Sequence, residues 1–292
     1  MKLRNLSKIG IVGPGLLGGS IGLAIKSHNP GHQVIGVGHR TRSVDRAKEI
    51  GAIDQGSLEI RDLAECDLVI IATPIGLIRR TIEELGEVLA PDAIVTDVGS
   101  TKRSICRWGK QLARRKIDFI GSHPIAGSEK RGVDFARPDL FINADCFVTP
   151  MAGNNPQAVD LVCELWQTLG MRVVKTTPSK HDKLLAAVSH LPHMVAAGLV
   201  NVCGEDQIKF SGTGFMDTTR IASGDVNLWH DIIVSNSDYL SAMLKKFTSQ
   251  LEKVRQAIEK GDSKAICAFL EKARTRREDL VRFKYQQQQI EP

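Results

Sequence analysis

Lys8-Ile9-Gly10-Ile11-Val12-Gly13-Pro14-Gly15-Leu16-Leu17-Gly18-Gly19-Ser20 reads as a strand, a glycine turn and the start of a helix. The spacing G-x-G-x-x-G has a separate physical reason at each glycine. Gly13 permits the tight turn, Gly15 lets a pyrophosphate approach the backbone, and Gly18 lets helix and strand pack closely. The helix N-terminus then faces the anion, which puts Leu16 and Leu17 with the three glycines among the expected cofactor-binding residues. A tight turn with no ligand is the other reading of the same residues. The position of the motif behind a strand, inside a strand–helix–strand unit, favours nucleotide binding.

Outward from this stretch, short apolar runs alternate with amphipathic helical segments. The strands expected are Lys8 to Val12, Val34 to Val37, Leu68 to Ile71, Ala93 to Asp97, Asp118 to Ile120, Cys146 to Thr149 and Arg172 to Val174. Between them lie the helical stretches Gly18 to Lys26, Ser43 to Ile50, Ile75 to Leu89, Lys102 to Arg115 and Pro156 to Leu169. Strands that are apolar throughout and separated by helices predict a mainly parallel sheet covered on both faces, the doubly wound α/β architecture of a Rossmann-like domain. After about Thr177 the pattern turns helical, with an apolar run from Lys180 to Cys203, the glycine-rich Ser211 to Gly214, and helical periodicity from Val226 to Arg282. The division expected is therefore a nucleotide-binding domain over residues 1–177 and an all-helical domain over 178–292, whose apolar faces suit burial against a second copy in a homodimer. Tyr285 to Pro292, with four glutamines, is expected to fray.

Composition narrows the function classes. The 292 residues are 42% hydrophobic, enough for a sizeable core, and carry 39 basic against 33 acidic side chains, a net charge of +6. The basic residues are spread along the chain and aromatics are only 5%, so no interleaved basic and aromatic surface for nucleic acid is written here. Cys66, Cys106, Cys146, Cys163, Cys203 and Cys267 lie far apart with no Cys-x-x-Cys, which points away from zinc knuckles and disulfides and toward a reducing, cytoplasmic setting. The longest uncharged stretches, Ile9 to Ile25 and Leu184 to Gly204, are broken by glycines or by Ser189, His190, His193 and Asn201, and neither is expected to span a membrane. Met1 to Lys8 do not read as a signal peptide.

Cofactor choice is read at the end of the second strand, where an acid would hold ribose hydroxyls. There the chain has Gly38-His39-Arg40-Thr41-Arg42 and no acid. Arginine and hydroxyl side chains pair with a 2′-phosphate that a carboxylate would repel, so NADP is expected ahead of NAD. Thr73, ending the next strand, either lines the cofactor site or caps a helix. Two later strand ends carry Thr96-Asp97-Val98-Gly99-Ser100-Thr101-Lys102 and Gly121-Ser122-His123-Pro124-Ile125-Ala126-Gly127-Ser128-Glu129. A histidine beside a nicotinamide is suited to take a hydroxyl proton while hydride leaves the same carbon, and Ser100 would hold that hydroxyl in line. His123 as a structural histidine is the plainer alternative.

Gly13 to Ser20, Asp97 to Lys102, His123 to Glu129, Ser189-His190-Leu191-Pro192-His193 and Thr218-Thr219-Arg220-Ile221-Ala222, in that order, resemble the prephenate and arogenate dehydrogenase family of tyrosine biosynthesis. The resemblance spans roughly residues 8 to 285. It implies NAD(P)-dependent oxidative decarboxylation of a cyclohexadienol, with His123 deprotonating the ring hydroxyl and Ser100 as its partner near the nicotinamide. It also implies that Arg220 binds a substrate carboxylate, that Ser189 and His193 touch the substrate, and that Glu129 gates the mouth; no metal is called for. Trp229 either closes the site or packs in a core. His190 and His193, three residues apart, do not read as zinc ligands, because Pro192 is expected to interrupt the helix and no third ligand recurs nearby. A different Rossmann plus helical-domain reductase, of the β-hydroxyacid dehydrogenase or pyrroline-carboxylate reductase type, and a catalytically silent NADP-binding sensor are the rival readings.

Overall fold

The protein is described by a computed structural model covering residues 3–126 and 130–289. Its sheet is built from β1 (Lys8–Val12), β2 (Gln33–Val37), β3 (Gln55–Ser57), β4 (Leu68–Ile71), β5 (Ile94–Asp97), β6 (Asp118–Pro124), β7 (Asp145–Thr149) and β8 (Arg172–Lys175). The strand order is β3-β2-β1-β4-β5-β6-β7-β8, parallel except where β7 meets β6 antiparallel. Helices α1 (Leu16–His28), α2 (Thr41–Glu49), α3 (Ile75–Val88), α4 (Arg103–Gly109) and α5 (Pro156–Thr168) make the connections. The expected doubly wound architecture is thus present.

Its physical basis is alternation across buried strands. In β4, every residue is buried, with Leu68 and Ile70 facing one core and Val69 and Ile71 the other. The first core is completed by α1 and α5, including Ile21, Leu161 and Trp166; the second by Ile78, Ile82 and Leu85 of α3. Strand β3 is absent from the expected set because Gln55, Gly56 and Ser57 carry no apolar signal. It pairs at the sheet edge, where Gln55 lies opposite Ile35. Helix α5 starts as its residues dictate: the Asn155 side chain accepts from Gln157 N at 3.0 Å, with Pro156 in the first turn.

Beyond β8 the chain is helical. Thr177 caps α6 (Pro178–Leu185), which passes through a π-helical turn (Ala186–His190) into α7 (Leu191–Val202). Pro192 therefore does not interrupt the helix as expected. A proline lacks the N–H for a backbone bond and crowds the carbonyl one turn back, and the widened turn before it absorbs both problems. The run from Pro178 to Val202 is long and apolar enough to cross a bilayer by length and composition alone, yet His181, Asp182, His190 and His193 along it are buried within the protein. Then come α8 (Glu205–Ile208), α9 (Thr213–Thr219), a 3₁₀ turn (Arg220–Ser223), α10 (Val226–Ser235), α11 (Ser237–Glu259) and α12 (Ser263–Gln289). The expected frayed tail is helical through Gln289, consistent with glutamine's good helix propensity.

Residues 1–240 form one compact unit and 241–292 a second. In the second, the remainder of α11 turns at Gly261, in the left-handed region with φ +63°, and returns as α12, whose start is capped by Asp262 accepting from Ala265 N at 3.0 Å.

Close backbone approach fixes α1 on the first unit. A Cβ at Gly22 would lie 2.0 Å from the Ala52 carbonyl oxygen. Gly22→Ala is expected to lower unfolding stability by about 1–3 kcal/mol, since a rigid backbone and not a flexible side chain must move. Urea denaturation checks this, and an unchanged midpoint would show that α1 is not held at that distance.

Candidate active site

Because β1, β2, β4, β5 and β6 run parallel, the segments leaving their carboxyl ends share one edge of the sheet. That edge gathers Gly13, Gly38, Thr73 and Ser100, with His123 one residue before the end of β6. Gly13 N donates to Val37 O at 2.8 Å, in a left-handed turn with φ +89°. Gly15 begins α1 with no side-chain cap and no acid in the first turn. A Cβ on Gly18 would sit 2.3 Å from Gly13 O, whereas one on Gly15 would meet no protein atom within 4 Å. Gly18 is thus a packing glycine, and Gly15 faces open space in front of a helix N-terminus, alongside the N–H groups of Leu16 and Leu17. Thr73 does not cap α3, whose cap position is Pro74, and its buried hydroxyl has no hydrogen-bond partner among the described residues. An uncapped helix start, an unfilled position before it and an orphaned hydroxyl beside it fit a dinucleotide phosphate. His39, Arg40, Thr41 and Arg42 are exposed where β2 passes into α2, and the first turn of α2 has no acid.

Next to this cradle lies a buried polar cluster. Lys102 and Asp97 are both inaccessible to solvent and form an ion pair; Lys102 Nζ also donates to Ser122 O at 2.7 Å. Asp97 accepts from Gly99 N at 2.8 Å and Ser122 N at 3.1 Å. Burial pushes the Asp97 carboxyl up, against the opposing pull of Lys102 and the two N–H donors. These bonds tie the loop holding Ser100 to β6. The Ser100 side chain is half-buried, and the described hydrogen bonds do not join it to His123.

His123 instead meets α6. Its Nδ1 lies 2.9 Å from His181 Nε2, and His181 Nδ1 lies 2.8 Å from Asp182 Oδ1. Asp182 also accepts from Lys102 N at 2.7 Å and Arg103 N at 2.9 Å, so it caps α4 from a distant helix. Burial holds His123 well below the usual imidazole range, helped by His181, Lys102 and His190, and burial lowers His181 as well. Burial would raise Asp182, but the donors from His181, Arg103 and Lys102 outweigh it and leave the carboxyl below its usual range. The cluster therefore presents neutral imidazoles ending on a carboxylate.

The helical residues come close to the same edge. Gly76 N donates to Asp231 Oδ2 at 3.0 Å, and Thr101 Oγ1 is 3.0 Å from Ser235 Oγ, which bind α10 to the starts of α3 and α4. Asn236 donates to Asp182 O at 2.8 Å and lies 3.1 Å from His190 Nδ1, whose pKa burial pulls down to about 4. His193 stacks on Trp229, ring centroids 3.5 Å apart and 11° from coplanar, with its buried Nδ1 unpartnered among the described residues. Trp229 packs on this histidine and borders the second core. Ser189 is half-buried within the π-helical turn, and Arg220 is exposed at the start of a turn packed on α7. Glu129 lies outside the described residues. His181, Asp182 and Asn236 carry no local signal in the sequence: Lys180-His181-Asp182-Lys183 opens the apolar run with four polar residues, and only tertiary packing buries two of them.

Two family models match consecutive parts of the chain: one described as prephenate dehydrogenase, nucleotide-binding domain, over residues 21–175, and one described as prephenate dehydrogenase, dimerization domain, over residues 177–272. A prephenate dehydrogenase of Bacillus subtilis is 34% identical over 92% of this chain and 75% of its own length. The crystal structure of prephenate dehydrogenase from A. aeolicus, in complex with hydroxyphenyl propionate and NAD+, superimposes with a TM-score of 0.89 at 29% identity, covering 96% of this chain and all of that one. The Synechocystis arogenate dehydrogenase structure gives 0.82 at 31% identity, covering 94% of this chain and 99% of that one. With both halves matched in order, and a nucleotide cradle opening beside a buried histidine, the chain belongs to the prephenate dehydrogenase family of NAD(P)-dependent dehydrogenases.

Proposed function

We propose that this protein catalyses the oxidative decarboxylation of prephenate to 4-hydroxyphenylpyruvate, ahead of arogenate to tyrosine, with NADP preferred over NAD. The observation that carries the reading is His123: a buried, neutral imidazole at the carboxyl edge that also holds the glycine cradle, with Nδ1 engaged by His181. Gly13, Gly15, Leu16, Leu17 and Gly18 would hold the pyrophosphate and Thr73 the adjoining part of the cofactor. His39, Arg40, Thr41 and Arg42 would surround a 2′-phosphate. The bound nicotinamide supplies the hydride acceptor. His123 takes the proton of the ring hydroxyl as hydride leaves the carbon bearing it, with Ser100 holding that hydroxyl in line. The ring carboxylate then departs as carbon dioxide, its bonding pair enters the ring, and the phenolate oxygen formed recovers the proton. Arg220 would bind a substrate carboxylate through its planar fork, with Ser189 and His193 touching the substrate.

The functional division that suits this chemistry falls between residues 177 and 178. The helical part would pair with a second copy: the family model matching it is described as a dimerization domain, and Val202, Phe210, Met216 and Val226 on it are exposed apolar side chains. The free cysteines suit a small-molecule enzyme of the reducing cytoplasm.

A two-by-two assay, prephenate or arogenate with NAD⁺ or NADP⁺, is expected to give most turnover with prephenate and NADP⁺; no turnover in any combination by folded, cofactor-binding protein would overturn the reading. Arg40→Ala is expected to raise KM for NADP⁺ roughly tenfold or more while leaving NAD⁺ almost unaffected, because one charge-assisted contact to the extra phosphate is lost. His123→Asn is expected to lower kcat by about 10²–10⁴-fold with cofactor affinity kept. The base works in its neutral form, and its depressed pKa keeps that form populated as pH falls past 6.5. The acid limb of kcat/KM is therefore expected well below pH 6.5; a limb at or above 6.5 would argue against His123 as the buried base.

A further inference from the structure

From the chain of contacts that ends on Asp182, we infer that His181 and Asp182 are positioning residues that hold His123 in the single tautomer with Nδ1 protonated and Nε2 bare. The inference rests on the reading of His123 as the group that accepts the hydroxyl proton, and it assigns the cause of that competence to α6.

The argument runs from the carboxylate outward. Asp182 is fully buried and already accepts from two backbone N–H groups, at 2.7 and 2.9 Å. A carboxylate only accepts, so the 2.8 Å contact from Oδ1 to His181 Nδ1 requires the proton on His181 Nδ1. A neutral imidazole carries one ring proton, which leaves His181 Nε2 as an acceptor. The 2.9 Å contact between that nitrogen and His123 Nδ1 is then made by a proton on His123 Nδ1. His123 is left with a bare Nε2, and the hydrogen bonds among the described residues engage its Nδ1 alone. The opposite tautomer would place two bare nitrogens against each other at 2.9 Å, while the bonds of Lys102 Nζ run to Asp97 and Ser122 O and not to this pair. Packing fixes the rings as well: His181 lies edge-on to both His123 and Phe147 at centroid distances of 5.1 and 5.2 Å.

Two substitutions separate this role from simple volume filling. His181→Gln puts an amide oxygen near the place of Nε2 and keeps an acceptor for His123, whereas His181→Phe fills the space beside Phe147 with none. The expected result is that H181F lowers kcat by about 10²-fold with KM for cofactor unchanged, while H181Q stays within about tenfold of the parent. A residue that only filled a buried apolar site would tolerate Phe better than Gln, so H181F equal to or faster than H181Q overturns the inference. A second readout needs no turnover and no variant fold: ¹⁵N spectra of the histidine rings in the unsubstituted protein, with the His123 signals identified by their loss in H123N. Protonated Nδ1 with bare Nε2 supports the inference, and protonated Nε2 overturns it. If the unsubstituted protein oxidises neither prephenate nor arogenate, the reading of His123 as base fails, while the ring spectrum still decides the tautomer.

Discussion

A carboxylate with no access to water must be surrounded by donors, and Asp182 is the place where this requirement organises the molecule. Its donors come from three sources: the neighbouring His181 ring and the backbone N–H groups of Lys102 and Arg103. The last two are the start of α4, so meeting the needs of one side chain on α6 clamps the helical segment onto the loop that leaves β5. Asn236 adds a bond to the Asp182 carbonyl and reaches His190, drawing the start of α11 into the same arrangement. Removing the charge would therefore disturb a helix cap, a loop and a ring orientation together.

The ion pair of Lys102 with Asp97 plays the matching part on the sheet side. Two opposite charges with no solvent contact gain little net stability over an apolar pair, because desolvation offsets their attraction. What the pair does supply is geometry: Lys102 spans from Asp97 at the end of β5 to the Ser122 carbonyl of β6, while Asp97 holds Gly99 and Ser122 by their N–H groups. Ser100 and His123 are consequently carried by segments that cannot drift apart. Burial above all, then the His181 ring, the Lys102 cation and the His190 ring, opposes protonation of His123.

Much of this was legible in the sequence where physics acts locally. Gly13, Gly15 and Gly18 announce a turn, an approach and a packing contact through spacing alone, and all-apolar Leu68 to Ile71 can only be a strand covered on both faces. His123 is legible because it sits at a strand end beside a polar run. What escaped notice depends on contacts distant in sequence: β3 has no apolar residue to mark it, and His181 with Asp182 lies in a charged stretch whose burial no local pattern reveals. Pro192 misled for a related reason. Its local effect is to end a helix, and only the wider turn before it lets the helix continue.

That π-helical turn has one more consequence. It holds an additional residue compared with an α-helical turn, which rotates everything after it by roughly 100° about the axis. The face that α7 offers, with His193 against Trp229, is thus a matter of phase as much as of residue identity. In a chain that lost a single residue between Ala186 and His190, α7 would keep every side chain it now has and present a different set of them to the sheet edge.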